Sequence, residues 1–127
     1  MAGEKILIVE DNPLNMQLAV DVLEAAGFTV LQAGDAEEGI AMAKTERPAL
    51  ILMDENLPRI DGLSATRTLK QDSATKDILV VMLTAHAMKG DKERVLAGGC
   101  DGYLTKPINT REFAKEVAHF LEPKRGA

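Results

Sequence analysis

Five side chains of three chemical kinds stand at the ends of apolar runs. Glu10 and Asp11 follow Lys5-Ile6-Leu7-Ile8-Val9, Asp54 follows Leu50-Ile51-Leu52-Met53, Thr84 follows Ile78 to Leu83, and Lys106 follows Gly102-Tyr103-Leu104-Thr105. Three carboxylates on one rim repel one another, because two unit charges about 5 Å apart cost roughly 3 kcal/mol at an effective dielectric near 20. A cation must offset that. An all-oxygen set with few ligands and open positions suits Mg²⁺, which keeps several waters and favours one or two carboxylates plus a phosphoryl group. Calcium is the other cation such clusters hold, but the 12-residue calcium loop is absent. With a lysine and a hydroxyl added, the set is the one phosphoryl transfer uses. Metal and lysine neutralise the equatorial oxygens, the hydroxyl donates a hydrogen bond and a carboxylate attacks in line. Each residue alone has a simpler reading: Asp54 as a strand-end turn residue, Thr84 as a strand-end hydroxyl, Lys106 as a solvated amine, Glu10-Asp11 as charge complementing a helix dipole. Jointly, at the same end of four strands, those readings require four coincidences.

The elements that must position these groups are legible in the chain. Lys5 to Val9 reads as a strand buried on both faces, and Asn12-Pro13 opens a helix with the stripe Leu14, Leu18, Val22 that Gly27 ends. Thr29 to Ala33 is a second strand, and Asp35 with Glu38 has capping-box spacing for a helix ending before Pro48. Leu50 to Met53 is the third strand. Pro58 forbids its simple continuation, Asp61-Gly62 permits a turn needing positive φ, and a short third helix covers about Leu63 to Leu69. Ile78 to Leu83 is a central strand. Gly90-Asp91 starts a fourth helix closed by Gly98-Gly99, Gly102 to Thr105 is a fifth strand, and Asn109 with Glu112 caps a last helix carrying Phe113, Val117, Phe120 and Leu121. Pro123 to Ala127 reads as a frayed tail. Strands alternating with helices give an α/β class, a single doubly wound five-stranded parallel sheet of flavodoxin-like order 2-1-3-4-5 with five helices. Such sheets bind ligands at their carboxyl ends, beside the switch between strands one and three.

The totals exclude other classes. With 127 residues the chain fits one domain, and a formal charge of −5 lacks the basic excess of a nucleic-acid binder. No apolar run approaches the roughly 20 residues a bilayer crossing needs, so neither a membrane nor a nucleic acid is an expected partner, and a cytoplasmic protein is expected. Cys100 is the only cysteine and reads as a buried, inert thiol. Neither phosphate-loop nor dinucleotide glycine patterns occur, and Asp54 lacks the second aspartate two residues on that aspartyl phosphatases use, which argues against a substrate-turning enzyme.

The pattern Glu10-Asp11, Asp54, Thr84-Ala85, Lys106-Pro107 resembles the receiver domain of bacterial two-component response regulators over essentially the whole chain. Ile8 to Asn12, Leu14-Asn15-Met16, Ala87 to Asp91 and Gly98-Gly99-Cys100 are most similar to the single-domain (DivK-like) type or to receivers of hybrid kinases. The resemblance implies a receiver domain over 1–127, its core about 4–122, in a phosphorelay. Asp54 would accept a phosphoryl group from a kinase phosphohistidine. Asp11, Asp54 and the Asn56 backbone carbonyl would bind Mg²⁺, with Glu10 acting through water. Lys106 would pair with the phosphoryl group and Thr84 would move to it, while Tyr103 turns inward and reshapes the face of the fourth helix, fifth strand and fifth helix. Pro107 would follow a cis peptide bond. Asn56 and His86 occupy positions that tune hydrolysis of the acyl phosphate, and His86 is not a metal ligand. Glu55 departs from the family pattern, which usually has a neutral or apolar residue there, and adds charge that bears on metal affinity and the resting conformation. The implied partners are a sensor histidine kinase or a histidine phosphotransfer protein, docking near Leu14, Asn15 and Leu18, and a downstream protein target. Monomer and weak dimer both fit. The alternative is a pseudo-receiver that uses the fold to bind proteins without being phosphorylated.

Overall fold

The structure, a computed structural model, describes residues 3–85, 93, 94, 96–106 and 108–126, the last four by backbone alone. Its five strands are β1 (Lys5–Val9), β2 (Thr29–Ala33), β3 (Leu50–Asp54), β4 (Leu79–Thr84) and β5 (Gly102–Thr105). All are parallel, in the order β2-β1-β3-β4-β5, which is the expected sheet. Four helices have both ends among the described residues: α1 (Pro13–Ala25), α2 (Ala36–Glu46), α3 (Gly62–Gln71) and α4 (Phe113–Gly126). Residues 93, 94, 96 and 97 are also helical and end at Gly98-Gly99, where the Gly98 amide donates to the Arg94 carbonyl at 3.1 Å. The Gly90-Asp91 start expected for that fourth helical segment lies outside the described residues.

Alternation along the central strands sends side chains to two cores, one on each face. Ile6, Ile8, Leu50, Leu52, Val81 and Leu83 pack against Leu23 of α1 and Phe113 and Val117 of α4. Leu7, Val9, Ile51, Met53, Val80 and Met82 pack on the other side against Ala36 and Ala43 of α2 and Ala65 and Leu69 of α3. The central strands therefore read as continuous apolar runs, and their ends are held rigidly at the rim.

Helix starts follow the sequence signals with small differences. Asn12 caps α1 by accepting the amides of Leu14 at 2.9 Å and Asn15 at 3.0 Å. Asp35 caps α2 through the Glu38 amide at 2.8 Å, while the Glu38 carboxylate reaches back to the Gly34 amide at 2.7 Å, one residue upstream of the usual capping box. Asn109 accepts the Arg111 amide at 3.0 Å with its side chain, and its backbone carbonyl takes the amides of Glu112 and Phe113. Spacing alone assigned the side-chain bond to residue 112; the turn preceding Phe113 moves it by one.

Two further expectations are corrected. Pro123 to Gly126 is helical and not a frayed tail, because proline's φ near −65° is itself a helical value. The positive φ expected around Asp61-Gly62 falls instead at Arg59, φ 65°. Gly62 is required for space: a Cβ there would stand 2.2 Å from the Asp54 carbonyl oxygen. Its amide closes the loop on the Glu55 carbonyl at 3.0 Å, and Asp61 caps α3 through the Ser64 amide at 2.8 Å.

Candidate functional site

The carboxyl ends of β1, β3 and β5 bring four of the expected residues together. Oxygens of Glu10, Asp11 and Asp54 all lie within 4.8 Å of one another. Glu10 is 4% and Asp54 3% exposed, whereas Asp11 faces solvent. Lys106 reaches across from the end of β5 and places its Nζ 3.0 Å from Asp54 Oδ1 and 3.2 Å from Glu10 Oε1. The lysine is positioned by backbone, since its amide donates to the Thr84 carbonyl at 2.8 Å and extends the β4 to β5 ladder.

Backbone amides steady both buried carboxylates. The Asn12 amide donates to Glu10 Oε2 at 3.1 Å and the Asn56 amide to Asp54 Oδ1 at 3.2 Å. Burial raises the Glu10 pKa above the usual carboxylate value, and neighbouring Asp54 raises it further, against the Asn12 amide and Lys106. Burial pulls the Lys106 ammonium down, but hydrogen bonds and charge from Asp54 and Glu10 outweigh it and hold its pKa above the ordinary lysine value. Among the described residues, three carboxylates face one ammonium here, so the corner keeps an excess of negative charge with oxygen donors only. That donor set fits a hard divalent cation such as Mg²⁺.

Thr84 is 1% exposed, and its hydroxyl donates to Glu55 Oε1 at 2.6 Å. Glu55 Oε2 pairs in turn with the Arg94 guanidinium. The added charge that the sequence places after Asp54 thus faces a cation, and Arg94 is the residue sequence reasoning missed. Its signal was chemical: a glutamate at the mouth of a buried strand needs a cation within reach. Arg59 was missed as well; its guanidinium joins Asp35 and Glu37, each at 2.8 Å, and ties the loop after Asp54 to the start of α2.

Tyr103 lies half-buried on β5. With Lys115, His119 and Phe120 of α4 it borders a cavity of about 460 Å³ on the outer edge of the sheet. His119 is exposed and meets Glu122 at 3.2 Å, as a surface residue should. A second, largely apolar cavity of about 260 Å³ beside the carboxylates is lined by Asn15, Leu18, Ala85, Lys106 and Ile108, and Leu14 nearby in sequence is 81% exposed. Cys100 is buried, and burial pushes its thiol up to about 11. His86 and Pro107 lie outside the described residues.

A sheet of this order with three carboxylates, a lysine and a hydroxyl at its carboxyl rim defines a class, and comparison with known proteins identifies it. The model of the response regulator receiver domain matches residues 6–118. The polar-differentiation response regulator DivK of Brucella anthropi is 42% identical over 118 residues, covering 93% of this chain and 96% of the relative. Among solved structures, the chemotaxis response regulator CheY4 of Vibrio cholerae superposes with a TM-score of 0.89 at 29% identity, covering 94% of this chain and all of that one. The receiver domain of sensor histidine kinase PA1611 from Pseudomonas aeruginosa, solved with magnesium coordinated in its active site cleft, gives 0.84 at 35% identity over 99% of this chain and 100% of that one. The chain belongs to the response regulator receiver family, the signalling modules of two-component phosphorelays, and is similar to DivK within it. Receiver domains bind Mg²⁺ in this acidic pocket and work with histidine kinases and downstream targets. No helix among the described residues is long and apolar enough to cross a membrane.

Proposed function

We propose that this receiver accepts a phosphoryl group on Asp54 from a kinase phosphohistidine and catalyses that transfer itself without turning over a substrate. The observation that carries this reading is the corner in which Glu10, Asp11 and Asp54 oxygens lie within 4.8 Å of one another and Lys106 stands 3.0 Å from Asp54. An Asp54 carboxylate oxygen forms the new O–P bond as the donor's N–P bond breaks, and the departing imidazole keeps the electron pair and takes up a proton. Lys106 stays within reach of the phosphoryl oxygens and offsets their charge. Asp11, Asp54 and the Asn56 backbone would hold Mg²⁺, with Glu10 acting through water; the ion supplies charge neutralisation at the transferring group. Thr84 supplies the hydroxyl that binds the phosphoryl oxygen afterwards, and Tyr103 follows it inward. Asn56 and His86 tune the return by hydrolysis, and Pro107 follows a cis bond.

The reading extends to partners and place. The whole span 1–127, core about 4–122, acts as one receiver in the cytoplasm. A histidine kinase or histidine phosphotransfer protein docks on the apolar hollow of Asn15, Leu18 and Ile108, which opens beside Lys106. The downstream target reads the Tyr103 face. Intact-mass analysis after incubation with acetyl phosphate tests the chemistry, with wild type and Asp54→Asn side by side, each with and without Mg²⁺. An added phosphoryl mass that needs Mg²⁺ and vanishes in the variant is expected. No adduct on the wild type would favour the pseudo-receiver.

A further inference from the structure

Glu55 is 8% exposed and its backbone is fixed on both sides. Its amide donates to the Leu83 carbonyl at 3.0 Å, and its carbonyl accepts the Gly62 amide at 3.0 Å. From that position one carboxylate oxygen accepts the Thr84 hydroxyl at 2.6 Å while the other pairs with Arg94. A threonine hydroxyl carries one proton, so donation to Glu55 and donation to a phosphoryl oxygen on Asp54 exclude each other. An ionised acceptor in a buried setting holds a hydroxyl more strongly than a neutral one does. Glu55 therefore competes directly with the phosphoryl group, and Arg94 pairs with the competing carboxylate and aims it.

We propose that Glu55, anchored by Arg94, is a positioning residue that holds the Thr84 hydroxyl in the resting form, so that phosphorylation must exchange a Glu55–Thr84 hydrogen bond for a phosphoryl–Thr84 bond. The proposal rests on the reading of Asp54 as the phosphorylated residue and of Thr84 as the hydroxyl that follows the phosphoryl group. It adds a threshold to that switch. A chain with an apolar residue after Asp54 has no such competitor, and its threonine is free to move at lower phosphoryl occupancy. The device also explains how a buried glutamate beside an acidic pocket is tolerated: its charge is committed to Arg94 and to a hydroxyl proton.

The test uses beryllofluoride, a phosphoryl analogue, at saturating Mg²⁺, with affinity read for wild type, Glu55→Ala and Glu55→Gln in both the native and the Thr84→Ala background. In the native background Glu55→Ala is expected to bind about tenfold tighter, a factor worth about 1.4 kcal/mol. Glu55→Gln, which keeps an acceptor oxygen and the side-chain volume, is expected to fall between. In the Thr84→Ala background the gain is expected to drop below about twofold. An equal gain there would overturn the proposal, since the glutamate would then act on the anion by charge alone. A second readout needs no ligand: the Thr84 γ-methyl resonance of the free protein is expected to shift in Glu55→Gln, and an unchanged resonance would overturn the proposal too. Wild type that binds no beryllofluoride at any concentration would remove the receiver reading and this one together, whereas equal binding by wild type and Glu55→Ala removes only the competitor.

Discussion

Asp54 and Glu55 are consecutive, both buried and both matched to a cation, yet their surroundings are built differently. Asp54 shares Lys106 with Glu10, and the side chains of that trio are 4%, 21% and 3% exposed. Glu55 pairs with Arg94, whose side chain is 44% exposed. The lysine arrives through the sheet, because pairing of Thr84 with Thr105 fixes where the next residue must stand. The arginine arrives from a helical turn and meets its partner by the reach of a long side chain. One corner is set by backbone register and the other by side-chain choice. The first is the proposed site of phosphoryl transfer, and the second is the proposed means by which a single chain adjusts it.

The sharpest way to break this comparison is to remove the two cations separately. Lys106→Ala leaves two carboxylates with less than a twentieth of their surface exposed and no ammonium between them, and phosphoryl uptake from acetyl phosphate should fall about a hundredfold, the usual cost of losing one charge-stabilising donor. Arg94→Ala should change uptake at least tenfold less. Comparable losses in stopped-flow or mass-resolved time courses would show that the two corners act as one unit.

The next effect concerns the backbone that separates the corners. Gly62→Ala drives a Cβ toward the Asp54 carbonyl oxygen, which the sheet does not allow to retreat, and should cost about 1 to 3 kcal/mol in urea unfolding. At Gly102 the added Cβ meets the rim of the Phe120 ring at 2.3 Å, and a ring can turn, so Gly102→Ala should cost less. The reverse order would mean that the loop from Glu55 to Gly62 yields more readily than α4 does.

The smallest effect is a control on a third pairing of carboxylate with cation, this one open to water. The Glu38 amide, with Arg59 adding to it, holds the Asp35 carboxyl below the usual carboxylate range. A depressed folded value means that its contribution is present above the unfolded pKa of about 3.9 and is lost as pH falls through the folded value. Asp35→Asn should therefore lower the melting temperature at pH 7 and converge on the wild type below about pH 4, flattening the acid limb. A variant that keeps the wild-type acid slope would assign that slope to another carboxyl held below its usual range, such as Asp72.

What the sequence made legible follows the same division. The order of the strands and the meeting of Glu10, Asp11, Asp54 and Lys106 depend on apolar runs and on where they stop, and both are visible residue by residue. The Glu55 to Arg94 pair depends on how a helix after β4 settles against the loop after β3, and no spacing announces it. The turn after Asp54 was legible as a turn, but Gly62 was read for its φ when it is needed for its missing Cβ, because the approach of the Asp54 carbonyl is a tertiary contact. Arg59 takes the left-handed conformation in place of a glycine, in a loop that its ion pairs with Asp35 and Glu37 tie to α2. At α4 the run from Pro123 reads as a tail in the sequence, whereas a proline in a last turn is compatible with the helix that continues to Gly126.

The central claim is that Asp54, and not its buried neighbour Glu55 or the exposed Asp11, takes the phosphoryl group. Borohydride reduces an acyl phosphate to an alcohol with loss of phosphate, so the phosphorylated protein can be reduced, cleaved and mapped by tandem mass spectrometry. The account predicts homoserine at position 54 and unmodified side chains at 10, 11 and 55. Reduction at Glu55 or Asp11 with Asp54 intact would contradict it.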